Sequence, residues 1–163
     1  MKLTKLPQAA MLAATLALGL PLAAAAQPLV PGAAVAPLTV EDQHGKPLTV
    51  GPGTRIVLFA ADKAASDFVS ETLGAQPAGV LDRLNAVYLA DISGMPALVT
   101  RMFALPAMRE LPFPIGLGRD AAQLADLPRQ KGAATLLRLG EGKVTGLEYL
   151  RDAAQLRQAL GLK

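Results

Sequence analysis

With 163 residues, 52% of them hydrophobic, the chain has the length of one domain and enough apolar mass for a core. It holds no cysteine and a single histidine. That excludes disulfides, thiolate catalysis, iron–sulfur clusters and cysteine-based zinc sites, and leaves little for a histidine-based metal centre.

The net charge of +3 depends on the first segment. Residues 1–5 carry Lys2 and Lys5, residues 9–22 are almost wholly apolar, and four alanines, Ala23 to Ala26, precede Gln27. A basic head, an apolar stretch and small residues at −3 and −1 predict a secretory signal peptide over 1–26, cleaved after Ala26 into an oxidising, periplasmic setting. The apolar stretch of 14 residues, broken by Gly19 and Pro21, is short of the roughly 20 that a spanning helix needs. Position 27 is Gln, so lipid attachment to an N-terminal cysteine is excluded. Without residues 1–26, 14 basic residues face 13 acidic ones, interleaved and without a basic run. Neither a nucleic-acid surface nor a polybasic membrane patch is expected.

Residues 27–37 contain Pro28, Pro31 and Pro37 and predict an extended arm. The strand-like runs 38–40 and 48–50 flank the polar turn Asp42-Gln43-His44-Gly45 and predict a β-hairpin. Residues 55–60 (RIVLFA) and 86–91 (AVYLAD) suit buried strands. Between them, Asp62 or Ser66 can cap a helix running to about Leu73, and a shorter helix is expected from Pro77 to Leu84. Residues 97–109 carry Leu98, Val99, Met102, Leu105 and Met108 near helical spacing, with Pro106 expected to kink or break the helix. A strand is expected within 113–118 and a short helix, capped by Asp120, near 121–124. Residues 133–139 and 144–150 around Gly140-Glu141-Gly142 predict a second hairpin, and 152–160 a final amphipathic helix stopped by Gly161. Alternating strands and helices with a closing hairpin predict an α/β domain over 38–163 with a mixed sheet.

This order resembles the thioredoxin-like superfamily, in particular its extracytoplasmic thiol-reductase and peroxiredoxin-like branch. The similar pieces are Leu38-Thr39-Val40-Glu41-Asp42-Gln43-His44-Gly45-Lys46, residues 55–62, Phe113-Pro114-Ile115 before Gly118-Arg119-Asp120, and Ala134-Thr135-Leu136-Leu137-Arg138-Leu139 with Gly140-Glu141-Gly142-Lys143-Val144. The resemblance implies a three-layer α/β fold, a mixed central sheet flanked by helices. It also implies a reactive cysteine just after the first central strand, where a helix N-terminus lowers thiol pKa. The stretch in that place, Asp62-Lys63-Ala64-Ala65-Ser66-Asp67, has no sulfur, and Ser66 cannot replace it in thiol–disulfide exchange. The cis-proline implied before the terminal hairpin falls at Ala133, where a cis bond would cost about 2.5–4 kcal/mol and a trans bond is expected. The chain is thus identified as a degenerate, non-redox member. Its expected role is binding or accessory, towards an envelope protein or a small ligand. The cleft formed by Lys63, Ser66, Asp67, Ala133 and Thr135 is the candidate site.

The other chemical signals are weaker. Lys63 could hold an anion beside free helix N–H groups, or simply be solvated. His44 is expected as an exposed turn residue. Met95, Met102 and Met108 could ligate copper, but their apolar surroundings favour core packing. The Gly-x-Gly triplets at Gly51/Gly53, Gly116/Gly118 and Gly140/Gly142 read as turns and tight strand edges rather than a dinucleotide fingerprint. No metal, cofactor or catalytic residue is assigned. A flavin or metal carrier using other residues, and a structural envelope component, are the alternatives.

Overall fold

The computed structural model describes residues 27–163; the expected signal segment lies outside the described residues. The hairpin strands β1 (Leu38–Glu41) and β2 (Pro47–Val50) pair with Leu38 opposite Val50. Asp42 makes the turn between them, its Oδ1 accepting from the backbone N–H of His44 and Lys46, and His44 is exposed. Strands β3 (Ile56–Ala60), β4 (Ala86–Asp91) and β5 (Gly116–Gly118) run parallel and are buried through most of their length. β6 (Ala134–Gly140) and β7 (Lys143–Leu150) close the chain as an antiparallel hairpin. The result is a seven-stranded mixed sheet in the order β2-β1-β5-β4-β3-β6-β7.

The helices lie against one face. Helix α1 (Lys63–Gly74) starts at Asp62, whose carboxylate accepts from the Ala65 N–H, so the cap is Asp62 and not Ser66. Its buried Ala65, Val69 and Leu73 recur at helical spacing and meet Leu58 and Leu136 of the sheet. The short α2 (Val80–Arg83) adds Val80 and Leu81 to the same core. The last helix of the chain, at Ala153–Leu160, is capped by Asp152, ends on Gly161 at φ +66, and buries Leu156 and Leu160. Among the described residues no helix is long and apolar enough to cross a membrane.

Between β4 and β5 the chain forms α3 (Ala97–Val99), a π-turn (Thr100–Ala104) and α4 (Leu105–Arg109), which makes the helix at Ala153–Leu160 α5. At Pro106, where a kink or a break is expected, the helix does not break but continues past a locally widened turn. Proline has no N–H and its ring crowds the carbonyl four residues back. The Leu105 N–H turns to the Thr100 carbonyl, five residues earlier, and the widened turn makes room for the ring. Core packing was expected for Met102, but it is 61% exposed, and Leu98 and Phe103 are each 68% exposed. Met95 and Met108 do pack against the core.

The opposite face is covered without a regular helix. The expected helix at 121–124 is a run of turns, because Gln123 Oε1 takes the N–H groups of Arg119 and Asp120 while Asp120 Oδ1 takes that of Ala122. Leu124 and Leu127 of this segment pack on Phe59, Val57 and Leu137. The proline-rich arm completes this layer. Leu29 is buried and donates its N–H to Asp126 O, and Gly32 and Val35 donate to Val144 O and Gly142 O beside β7. The arm, expected to be extended, instead turns at Pro31–Gly32, where Ala33 N–H donates to Val30 O, and is packed against the domain.

Candidate functional site

The carboxyl ends of β3 and β4 meet the start of α1 and the loop 129–133, the position where open α/β sheets place ligands. Asp62 ties three of these parts together. One carboxylate oxygen caps α1 through Ala65, and the other accepts from the Gly132 N–H at 2.7 Å. The Ala65 N–H, then that of Gly132, hold its carboxyl below the ordinary aspartate value. Gly132 sits at φ +71, and no cis peptide bond occurs among the described residues, so Ala133 follows a trans bond. Replacing Asp62 by alanine is expected to cost about 1 kcal/mol of stability, the usual worth of such a cap. The same change should speed amide exchange at Gly132, read by urea denaturation and hydrogen exchange.

Asp91, at the end of β4, is the second anchored carboxylate. Its Oδ1 accepts from the Ser93 N–H and hydroxyl, at 3.0 and 2.7 Å, and its Oδ2 from Arg129 at 2.8 Å. Burial pushes its pKa up, but the donations from Ser93 and Arg129 outweigh it and the net direction is down. Arg129 also donates to Leu124 O and lies over the Phe59 ring at 5.3 Å from its centroid. Both aspartates have folded-state pKa values below their unfolded ones. Their contribution is therefore complete above the unfolded value, roughly 3.9, and is lost as pH falls through the folded values. Acid denaturation should steepen below about pH 4, and a chain with Asp62→Asn and Asp91→Asn should show a flatter profile there.

Of the residues singled out in the sequence, Lys63, Ser66 and Asp67 stand together on the first turns of α1. Lys63 and Asp67 pair with each other across one turn, both exposed. Ser66 is half-buried and its hydroxyl meets Tyr88 OH at 3.1 Å; burial raises the Tyr88 phenol above its ordinary pKa. Ala133 is buried in the neighbouring loop. Thr135 lies elsewhere. It pairs with Phe59 in register, hence on the face away from α1, and donates to Pro128 O at 2.7 Å. The sequence reading did not find Asp91, Arg129 or the bond from Gly132 to Asp62. The Asp91-x-Ser93 spacing, which favours a side-chain-closed turn, was the available signal for the first.

Two hollows adjoin here. A polar cleft of about 540 Å³ is bounded by Asp62, Lys63, Asp91, Ser93, Pro96 and Arg129. An apolar groove of about 500 Å³ runs between α1 and the helical segment 97–109. A third hollow, of about 690 Å³, lies beyond the start of β3 among the turns at Gly51–Gly53 and Gly140–Gly142 and includes none of these residues. Met95 and Met108 line the apolar groove and Met102 does not, so the three methionines form no common ligand set. Among the described residues no group of three or more His, Cys, Asp or Glu side chains could hold a metal ion.

No family model matches the sequence, and no curated protein is significantly similar to it. Solved structures are similar in fold. One is the peroxidoxin BcpB from Mycobacterium tuberculosis, 16% identical over 82% of this chain and 95% of that one, with a TM-score of 0.52. A putative thioredoxin from Neisseria meningitidis is 17% identical over 81% of this chain and 89% of that one, also at 0.52. A peroxiredoxin-like protein from Aquifex aeolicus is 10% identical over 84% and 89%, again at 0.52. With the sheet order and the N-terminal hairpin described above, this likeness shows that the chain has the thioredoxin-like α/β fold, carried here without a single cysteine.

Proposed function

We propose that the protein is an exported, non-redox member of the thioredoxin-like group that works as a binding or accessory module in the periplasm. One observation carries this reading: the scaffold around the usual reactive position is intact while its sulfur chemistry is gone. Asp62 caps α1 and grips the loop at Gly132, so the two parts that would flank a reactive thiol are fastened together by a carboxylate. A hydrogen-bonded aspartate held ionised is neither a nucleophile for disulfides nor a redox carrier. What remains is a surface at the strand ends, with the Lys63–Asp67 pair at its rim and Ser66 and Ala133 beside it.

Export is tested by N-terminal sequencing of the protein recovered from the periplasm, where chains beginning at Gln27 are expected. Recovery only in the cytosol with Met1 retained would defeat it. The module reading is tested by capture of periplasmic partners on the immobilised chain. Reversing both charges, Lys63→Glu with Asp67→Lys, should abolish capture of a specific partner, and unchanged capture would remove this cleft from consideration.

A further inference from the structure

We propose that the groove between α1 and the helical segment 97–109 binds an uncharged, apolar small molecule; this deepens the module reading above by naming a ligand class. The groove reaches down to core residues, with Ala60, Ala90 and Ile92 at its floor, and opens between Val99 and Phe103, which are 42% and 68% exposed. Its volume of about 500 Å³ lies in the range of pockets that enclose a small organic ligand. A concave site that ends on the core suits an inserting molecule better than a flat partner surface.

Charge decides the class. Four ionisable side chains line the groove, and each already has its partner within the protein. Lys63 pairs with Asp67, Asp91 with Arg129, and Asp62 with the N–H groups of Ala65 and Gly132. An ionic ligand would have to displace one of these partners, whereas an uncharged apolar one covers Val99 and Phe103 at no such cost. At the base, Ser66 and Tyr88 satisfy each other, and the Ser70 hydroxyl also lines the wall.

The π-turn serves this arrangement. Val99, Phe103 and Ala107 line the groove at intervals of four residues, with Leu111 just past the end of α4. On a regular helix of 3.6 residues per turn, such a series drifts steadily around the axis. The wider turn at Thr100–Ala104 takes back part of that drift and keeps both halves of the segment facing the same hollow.

The test is titration of the purified chain with N-phenyl-1-naphthylamine, an uncharged apolar fluorophore. Saturable one-to-one binding is expected. Ala104→Phe, which fills the groove from its half-buried wall, should weaken it at least tenfold, while Leu98→Ser, exposed and outside the groove, should leave it within twofold. Should Ala104→Phe lose its far-ultraviolet circular dichroism, Ser70→Phe supplies the same obstruction from α1. Absence of saturable binding, equal affinity in the filled chain, or equal weakening by Leu98→Ser would overturn the proposal. So would equally tight binding of the anionic 8-anilinonaphthalene-1-sulfonate. A stable dimer in light scattering that Phe103→Ser dissociates would assign the groove to a second copy instead. Partner capture is read with the charge reversal at Lys63 and Asp67 on the polar rim of the groove, and dye binding with Ala104→Phe on its opposite wall. A chain that captures a partner but binds no dye, or the reverse, separates failure of one proposal from failure of the other.

Discussion

Replacing Gln43 by leucine is expected to destabilise the protein by about 3 kcal/mol, the sum of two buried backbone groups left without partners. Gln43 is only 1% exposed although it sits in the hairpin turn. Its Nε2 donates to Phe113 O at 2.8 Å and to Met108 O at 3.2 Å, and its Oε1 accepts from the Ile115 N–H at 2.8 Å. One amide thus replaces the missing ladder partners of the segment that leads into β5. The Gln43 carbonyl in turn accepts from Arg109 Nε at 2.9 Å, which fastens the end of α4 to the hairpin. Leucine fills the same volume but can satisfy neither Phe113 O nor Ile115 N, and both are too deep for water. Urea denaturation should show a lower midpoint with an unchanged slope. Hydrogen exchange should accelerate first at Ile115. A loss below about 1 kcal/mol, no more than one ordinary hydrogen bond, would mean that the segment finds other partners.

Gln43 also marks where the sequence stops being informative. Runs of residues that are paired or packed locally are readable: the hairpin around Asp42, strands β3 and β4, the start of α1 at Asp62 or Ser66, the last helix from about Asp152, and its stop at Gly161. In each, the determining contact lies within a few residues. Gln43 acts over 72 residues to Ile115, and Arg129 over 38 to Asp91, so neither bond leaves a periodicity or a spacing to detect. Met102 lies exposed, against the expected core packing, for a different reason. Helical spacing tells which side chains share a face but not whether anything covers that face, and here the sheet is already covered by α1, Leu105 and Met108. The candidate site was half legible. Asp62 and Lys63 could be placed at the start of α1 from the end of β3, and the loop at Ala133 followed from the fold resemblance. Thr135 was set on the cleft by proximity in sequence, whereas strand alternation turns it to the other face. Composition alone makes the Pro-rich segment an extended arm rather than a packed element. It turns at Pro31–Gly32 and packs, with Leu29 beside Leu127 on a face that no helix covers.

Substituting Gly116 tests how tightly the central strands are packed. Intrinsic preference favours alanine over glycine in a strand by roughly 0.5–1 kcal/mol, so propensity alone predicts a gain. Packing predicts the reverse. A Cβ at Gly116 would lie 2.6 Å from Leu89 Cδ2, 2.7 Å from Val40 Cγ2 and 3.1 Å from Leu48 Cδ2, side chains of three different strands. Leu89 is fully buried and Val40 nearly so, and valine has little rotamer freedom with which to retreat. Overpacking of this kind typically costs 1–3 kcal/mol, and the three-sided contact places Gly116→Ala at about the upper end of that range. Gly116→Val should not yield a folded chain. Gly51→Ala is the matched control, since its Cβ would meet only Thr49 Cγ2 at 3.5 Å, and its effect should stay within about 0.5 kcal/mol. A second change separates steric strain from any backbone effect. Leu89→Val withdraws the atom nearest the new Cβ, so the double variant should be more stable than the sum of the two single losses. Strict additivity would show instead that the cost of Gly116→Ala arises in the strand's own backbone, and the close approach of β1, β4 and β5 would not be what requires glycine at this position.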